Sequence, residues 1–231
     1  MALAFATLDG GTEDTSGDGT MDSVSISPTS GGMVLVTVVT TTISAYVSNP
    51  THGVSGLSGT WTNVGEIGYA SRRFISLWKG IGCTGTGSLT ITSTGGTTLQ
   101  DLAYVIDEAT GQNAATPNDA AVADFGVDTL ALPDIGTVDA GDAVYTVGGH
   151  ENGFNNFREE TYTALATLGS LTNVRQIRTY YDDTTPDETP SWTSDGGSNG
   201  IGAIAMVINV GAAGTYLMAA RRHTFVNTVN Y

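Results

Sequence analysis

Oxygen-bearing side chains at the spacing of a calcium-binding loop come early in the chain. Positions 1, 3, 5 and 9 of such a loop are filled by Asp14, Ser16, Asp18 and Asp22. Gly19 stands at the sharp turn, but Ser25 stands where a bidentate acidic ligand is expected. Short acidic segments with glycine also make ordinary turns between strands. Two interpretations therefore stay open, a calcium site and an acidic turn, and the sequence predicts no other cofactor.

Aromatic side chains in the second half of the chain are of the types that stack on sugar rings. Trp192 lies in a polar stretch and is the best candidate for an exposed ring. Tyr180 and Tyr181 are adjacent in sequence and could extend the same surface. Trp78 lies in an alternating apolar run, which the protein core explains equally well. Trp192, Tyr180 and Tyr181 are therefore a candidate platform for glycan stacking.

Two glycine-rich motifs resemble those of enzymes, but their contexts do not fit. Residues 80–85 match G-x-G-x-x-G, yet the next segment has the alternation of a strand where a dinucleotide site needs a helix. Residues 196–200 match G-x-S-x-G, a motif that needs an acid and then a histidine downstream. Only His223 follows. We predict that both motifs are turns, the first a hairpin loop.

Other candidate catalytic groups are scattered. The histidines His52, His150 and His223 have no metal-binding spacing, and structural roles are their default. Adjacent carboxylates such as Asp107 and Glu108 point to opposite faces of a strand. They therefore cannot form the facing pair that glycoside hydrolysis requires. The sequence predicts a protein that is not an enzyme.

Composition excludes several classes of partner. The net charge is −15 and Lys79 is the sole lysine, so the chain would repel both nucleic acid and anionic lipid. The apolar start of the chain ends at Asp9 without a basic region, which is not the pattern of a signal peptide. Cys83 has no cysteine partner for a disulfide. We expect folding in a reducing cytoplasm and no membrane association.

Short runs with strand periodicity recur about every ten residues, which is typical of β-sandwiches. We predict strands within residues 3–8, 21–27, 33–46, 60–65, 72–79, 88–93, 101–107, 129–132, 143–147, 160–167, 175–181, 202–210 and 215–229. The best helical window is residues 118–125, two turns at most. The predicted fold is all-β, an antiparallel two-sheet β-sandwich that is jelly-roll-like.

The predicted organisation is one β-sandwich domain over residues 1–213, without an internal repeat. Residues 214–231 form either a C-terminal edge strand or a docking arm. The second interpretation rests on the cluster Arg221, Arg222 and His223, with Phe225 as an apolar anchor. Arginines on such an arm could pair with carboxylates of a neighbouring subunit.

Several motifs together resemble β-sandwich proteins from the structural modules of tailed phages. They are PTSGGMVLV (28–36), GTWT (59–62), RRFISLW (72–78), GSLTI (87–91), VIDEATG (105–111) and SWT (191–193). The resemblance implies a capsid decoration, turret or tail-fibre protein without catalytic residues. It further implies a virion location after assembly in the host cytoplasm, with the major capsid protein or other virion proteins as partners.

The leading interpretation is an accessory capsid protein, of the decoration or turret type, that forms homo-oligomers. A trimer is expected because it suits local three-fold positions on a shell. A tail-fibre or baseplate module is the alternative within this class. A carbohydrate-binding β-sandwich module, using the aromatic platform, is the alternative outside it.

Overall fold

Strands account for all the regular secondary structure that the chain forms within its described residues. A computed structural model describes residues 2–14, 19–45, 49–95, 99–150, 157–159, 161–169, 176–184, 186–194 and 200–211. Within them the strands are β1 (Ala4–Asp14), β2 (Thr20–Asp22), β3 (Met33–Thr42), β4 (Thr51–Gly56), β5 (Thr60–Tyr69), β6 (Arg73–Ile81), β7 (Leu89–Thr94), β8 (Leu99–Thr110), β9 (Asn118–Val127), β10 (Thr129–Ala131), β11 (Ala143–His150), β12 (Phe157–Glu159), β13 (Thr163–Gly169), β14 (Gln176–Asp182), β15 (Ser191–Ser194) and β16 (Gly200–Ile208). Every paired strand runs antiparallel to its neighbour. The prediction of an all-β antiparallel β-sandwich is confirmed.

The strands form two repeats with the same topology. In repeat 1, β1-β8-β3-β6-β5 is one sheet and β2-β7-β4 is another. In repeat 2 the corresponding orders are β9-β16-β11-β14-β13 and β12-β15-β10. A single residue pair between β9 and β10 joins these two layers into one ladder. Each strand of repeat 2 thus has the number of its repeat 1 equivalent plus eight. Both repeats have the strand order of a jelly roll, with the fifth strand in the same layer as the sixth.

The prediction that the chain has no internal repeat is therefore wrong for its topology. The repeats share little sequence, but the turn before their third strand is the same. Gly31 and Gly141 both have a left-handed φ, of 82° and 94°, and each lies two residues before the strand begins. Because glycine adopts this conformation without steric cost, the two turns keep a glycine where the flanking residues differ.

The repeats stack into four layers with three apolar clusters between them. One cluster lies between the sheets of repeat 1 and another between the layers of repeat 2. The third lies between the two five-stranded layers and draws residues from both repeats. We call this third interface the seam. Strand β5 lies against β9 and β16, and its counterpart β13 lies against β1 and β8, so the repeats make equivalent contacts about a pseudo-two-fold axis.

The central strands are buried on both faces, which explains their continuous apolar sequence. In β3 all ten residues are buried. Val34 and Val36 face the three-stranded sheet, whereas Met33 and Leu35 face the seam. A strand of this kind has no solvent face, and its residues therefore fix two layers at once.

Close approach across the seam requires glycine at two paired positions of repeat 2. Gly149 and Gly202 are opposite each other on β11 and β16. A Cβ atom on Gly202 would lie 2.4 Å from Cδ1 of Tyr69, and one on Gly149 would lie 2.3 Å from the Tyr69 hydroxyl oxygen. Tyr69, at the end of β5, is buried. Its ring thus occupies a hollow that exists because both positions lack a side chain.

Two sequence expectations differ from the structure. The best helical window, residues 118–125, lies in strand β9, because hydrogen bonding to β16 outweighs the weak helical preference of a short segment. The segment around Trp192, expected to be a loop, forms strand β15. The domain over residues 1–213 stays a prediction, although the apolar cluster at the seam draws residues from both repeats. Residues 214–231 lie outside the described residues.

Gly202→Ala should destabilise the protein by about 1–3 kcal/mol, the usual cost of overpacking a core. The added methyl group would meet the inner atoms of the Tyr69 ring, which cannot withdraw from the seam. Urea unfolding of the full chain measures the change. Gly10→Ala is the control, because its Cβ would have no neighbour closer than 3.5 Å. We expect the control to change stability by less than about 0.5 kcal/mol. Equal effects of the two substitutions would contradict the packing argument.

Candidate functional site

The predicted glycan platform is divided between two buried regions. Trp192 is 0 % exposed, so its prediction as an exposed ring is wrong. Its indole N–H donates to Oγ1 of Thr146 at 3.1 Å, and the ring of Tyr180 packs edge-on against it at 5.3 Å. Both rings belong to the apolar cluster inside repeat 2. Trp192 is close in sequence to polar loops, but pairing of β15 with β10 and β12 places its ring inside repeat 2.

Tyr181 lies on the opposite face of β14 from Tyr180, as neighbouring strand residues must. Its ring stacks on Phe5 of repeat 1 with centroids 4.4 Å apart. Phe5 is also roughly parallel to the ring of Tyr145, at 6.3 Å. The three rings form an aromatic stack that joins the repeats across the seam. Tyr181 therefore serves the packing of the two repeats, and the three predicted platform residues do not share a surface.

The candidate calcium loop is only partly within the described residues. Ser16 and Asp18 lie outside them, as does the side chain of Asp14, whose backbone ends β1. Asp22 is exposed on β2, where its Oδ1 accepts a hydrogen bond from the Thr90 hydroxyl at 2.7 Å. Within the described ranges, no group of three or more histidine, cysteine or acidic residues could hold a metal ion. The calcium site stays a prediction.

A buried carboxyl group at the seam is the most unusual polar feature of the described structure. Asp107 of β8 is 0 % exposed. Its Oδ1 accepts from the Thr7 hydroxyl at 2.7 Å, and its Oδ2 accepts from the Tyr145 hydroxyl at 2.8 Å. The Thr179 side chain also hydrogen bonds to it. We call these four residues the seam cluster; two come from each repeat, so one carboxyl group ties the repeats together.

Burial governs the protonation of the seam cluster. Loss of solvation raises the pKa of Asp107, and hydrogen bonds from Thr7, Thr179 and Tyr145 offset part of that rise. Burial and the nearby Asp107 carboxyl group also raise the pKa of Tyr145 well above its ordinary value. The Asp107 carboxyl group is thus costly to ionise at the seam. The sequence carries a signal for this buried carboxyl group, since Asp107 directly follows the apolar residues AYVI.

Glu108, next in sequence, points away from the seam and fastens a turn. Its carboxylate accepts from both the backbone N–H and the hydroxyl of Thr29. Beside this turn lies a cavity of about 520 Å³. The cavity is lined mainly by small and polar residues, including Gly31, Gln112 and Gly211. Because the adjacent carboxylates have separate structural roles, they form no acid–base pair, as the opposite-face rule predicts.

The two described histidines are held by hydroxyl groups. Nδ1 of His52 lies 2.6 Å from Oγ of Ser76, and its Nε2 lies 3.0 Å from Oγ1 of Thr40. Complete burial lowers the pKa of His52 to about 3, so the ring is neutral at pH 7. His150, also buried, has Nε2 2.8 Å from Oγ of Ser194. These environments agree with the structural roles expected from the sequence.

The remaining predicted motifs have separate outcomes. Residues 80–85 lead into strand β7, as expected, but β6 and β7 belong to different sheets. The segment is therefore a crossover between layers, and its prediction as a hairpin loop is wrong. Residues 196–199 of the G-x-S-x-G motif lie outside the described residues, and Gly200, its last residue, begins β16. The predicted interface residues Arg221, Arg222, His223 and Phe225 lie outside them as well.

Comparisons of this chain with protein-family models, curated proteins and solved structures give no match. A search of the described residues finds no helix with the length and apolarity needed to span a membrane.

Asp107→Asn should reduce the pH dependence of stability. Because the folded protein holds the pKa of Asp107 above its ordinary value of 3.8, folding favours the protonated carboxyl group. The free energy of unfolding should then fall as pH rises from about 4 toward the raised pKa. Asparagine keeps an acceptor oxygen and cannot ionise. We expect the variant to be at least as stable as the parent at pH 7, with the difference shrinking toward pH 4.

Urea unfolding of both proteins from pH 4 to pH 8 measures this difference. Comparison at each pH cancels the contribution of His52, whose lowered pKa acts in the opposite direction by removing stability as the solution becomes acidic. Asp183→Asn, at an exposed position, is the matched control and should leave the pH profile unchanged. A parallel shift of the Asp107→Asn curve at all pH values would contradict the argument.

Proposed function

We propose that the chain is a non-enzymatic structural protein of a virion, an accessory capsid protein of the decoration or turret type. The observation that carries the proposal is the stack of two jelly rolls joined by the seam. Jelly rolls recur in viral capsid proteins and in lectins. The sequence resemblance to tailed-phage structural modules favours the first of these classes. Fold alone does not determine function, so the proposal also depends on the surfaces described next.

A rigid body suits a mechanical role, and several features support rigidity. Three apolar clusters hold the four layers together, and the seam cluster and the aromatic stack join the repeats by directional contacts. Asp107 and Tyr145 would lose hydrogen bonds if the repeats slid past each other. Directional contacts of this kind suit a body that must keep its shape within an assembly.

The outer strands of the five-stranded layers can contact neighbours, and their geometry limits how. Outer strands present unpaired N–H and C=O groups that another chain could bond. On each of β1, β5, β9 and β13 the pairing with the next strand shifts register once. Such bulges twist an edge and discourage open-ended sheet growth. This pattern supports assembly into a closed homo-oligomer, for which we propose a trimer that binds the major capsid protein or other virion proteins.

The alternatives differ in their support. A tail-fibre or baseplate module has the same kind of body and differs only in its place on the particle. The carbohydrate-binding alternative depended on Trp192, Tyr180 and Tyr181, of which the first two are buried and the third packs on Phe5. A sugar ring could not stack on the first two without opening the core of repeat 2. We therefore retain the virion proposal.

Localisation on intact particles tests the proposal. We expect gold-labelled antibodies against the purified protein to bind the outer capsid surface, and cryo-electron microscopy to place the four-layered body at local three-fold positions. Binding confined to the tail would support the alternative module. Particles without the protein, isolated from infected cells that contain it in soluble form, would overturn the proposal.

Oligomer mass is a separate test. Light scattering of the purified protein should give about three times the 23.8 kDa mass of one chain. Closed assembly should make this mass independent of concentration once the trimer forms. A mass that stays at one chain throughout the accessible concentration range would contradict self-assembly, whereas a mass that grows continuously would contradict the role assigned to the bulged edges.

A further inference from the structure

The sole lysine of the chain lies on the seam face of β6. Lys79 follows Trp78, which packs inside repeat 1, and shares its own face with Leu77 and Ile81 of the apolar cluster at the seam. Its pairing partner on β3 is Leu35, which is completely buried. Lys79 itself is half-buried. An ammonium group beside so much apolar surface needs a specific polar partner.

The partner of this ammonium group is a side-chain amide of the other repeat. Nζ of Lys79 donates a hydrogen bond to Oδ1 of Asn118 at 2.5 Å. This is closer than an ordinary N–H···O hydrogen bond of about 2.7–3.2 Å. Asn118 is the first residue of β9, the strand with which repeat 2 begins. The contact therefore joins the two repeats directly.

The pseudo-two-fold axis relates this contact to the aromatic stack. The strand registers place Lys79 of β6 and Tyr181 of β14 at equivalent positions, and likewise Asn118 of β9 and Phe5 of β1. At one corner of the seam Tyr181 stacks on Phe5, and at the other Lys79 bonds to Asn118. The aromatic corner shows that this topology accepts apolar packing there. A lysine that faces an amide at the second corner therefore calls for another explanation.

Hydrogen bonds on both sides fix the backbone around Asn118. Asn209 donates its backbone N–H to the carbonyl of Pro117 at 3.1 Å and its side-chain N–H to the carbonyl of Thr116 at 3.0 Å. In the other direction, β9 pairs with β16 from Asn118 onward. The amide group is therefore held in front of the lysine by the fold. Such positioning lowers the entropic cost of a reaction between the two groups.

The distance suits attack of the lysine amine on the amide carbon. A C=O bond is about 1.2 Å long, so Cγ of Asn118 lies at most about 3.7 Å from Nζ of Lys79. Reacting atoms in near-attack arrangements are about 3–3.5 Å apart. The amine of a lysine is a nucleophile toward carbonyl carbons once it has lost a proton. A nucleophile and an acyl carbon are thus at contact distance.

We propose that Lys79 and Asn118 form an isopeptide bond that joins the two repeats covalently. Nζ releases one proton to water and forms a bond with Cγ. A second proton passes from Nζ to Nδ2, the Cγ–Nδ2 bond breaks, and Nδ2 leaves as ammonia, which takes up a proton from water. A lysine ammonium group and a primary amide thereby become a secondary amide and an ammonium ion. Atoms and charge balance, and nothing is oxidised or reduced.

The surroundings favour the product. Ammonia has a short way to solvent, because residues 114–116, just before Asn118, are exposed. The new amide replaces a charged group beside the apolar cluster with a neutral one, which is cheaper to bury. The bond would keep the repeats together even if one of them opened. The inference goes beyond the structural role proposed above and does not depend on a virion location.

The mass of the intact chain tests the proposal. We expect the purified full-length protein to weigh about 17 Da less than its sequence requires, which is the mass of one ammonia. A lysine-specific protease should leave the denatured protein uncut, because its sole lysine is acylated. Protein held in guanidinium from cell lysis should keep its full mass and lose ammonia only after refolding. That loss should be faster at pH 9 than at pH 7, because the amine must first release a proton.

Three full-length variants serve as controls. Lys79→Arg keeps the positive charge but lacks the amine, and Asn118→Ala lacks the acyl group, so both should keep their full mass. Asn63→Ala is the matched control. Asn63 is exposed and hydrogen bonds to Glu66, so this variant should lose ammonia as the parent does. Circular dichroism verifies that each variant is folded.

The outcomes separate this bond from other reactions. Full mass in the refolded parent, together with protease cleavage after Lys79, overturns the proposal. A loss of ammonia that persists in Lys79→Arg assigns the reaction to another site, such as a succinimide at an asparagine, and also overturns it. If a variant does not fold, the mass and digestion of the parent decide, with the cross-linked peptide identified by fragmentation. Protein that carries the bond but is absent from virions would refute the proposed function alone.

Discussion

Face-to-face packing of the two five-stranded layers is the contact on which the rest of the molecule depends. Each layer is already covered on its other side by a three-stranded one, so the seam forces the central strands to be apolar on both faces. The same closeness excludes side chains at Gly149 and Gly202 and makes room for Tyr69. It also buries Asp107 completely, and hydroxyl groups of both repeats supply its hydrogen bonds. Composition, glycine placement and the behaviour of the buried carboxyl group are thus consequences of one interface.

The repeated topology places both halves of this interface within one chain. A jelly roll with an apolar outer face can pair with its own copy about a two-fold axis, and a short connection over residues 111–117 keeps the two copies at high effective concentration. The exchange of contacts between β5 and β13 retains that symmetry. The two sides of the interface are nevertheless unequal. The ring of Tyr69 enters a glycine hollow in repeat 2, whereas the equivalent positions in repeat 1 are Val39 and Ala103.

Local patterns predicted the strands well, while contacts distant in sequence decided the features that were missed. Alternation over a few residues is a local signal, and most predicted strands coincide with observed ones. Trp192 was expected in a loop because its neighbours are polar, but its burial depends on partner strands far along the chain. The helical window at residues 118–125 failed for the same reason. The opposite-face rule correctly separated Asp107 from Glu108, yet it could not reveal that the former meets the second repeat. The internal repeat could not be predicted, because the two repeats share strand order and a turn glycine but little sequence.

The inequality of the two repeats also limits how many copies of one surface feature a chain carries. A two-fold dimer of identical jelly rolls would carry every surface feature twice. An apolar pair on both sides would then let each dimer contact two neighbours through the same kind of surface. Because both repeats belong to one polypeptide, Thr12 and Asp14 can occupy in repeat 1 the strand positions that Phe125 and Val127 occupy in repeat 2. Among the described residues, one chain then exposes this apolar pair on repeat 2 alone. A contact that used this pair on both partners would therefore join two chains at most, whereas an apolar pair on both repeats would permit open-ended growth.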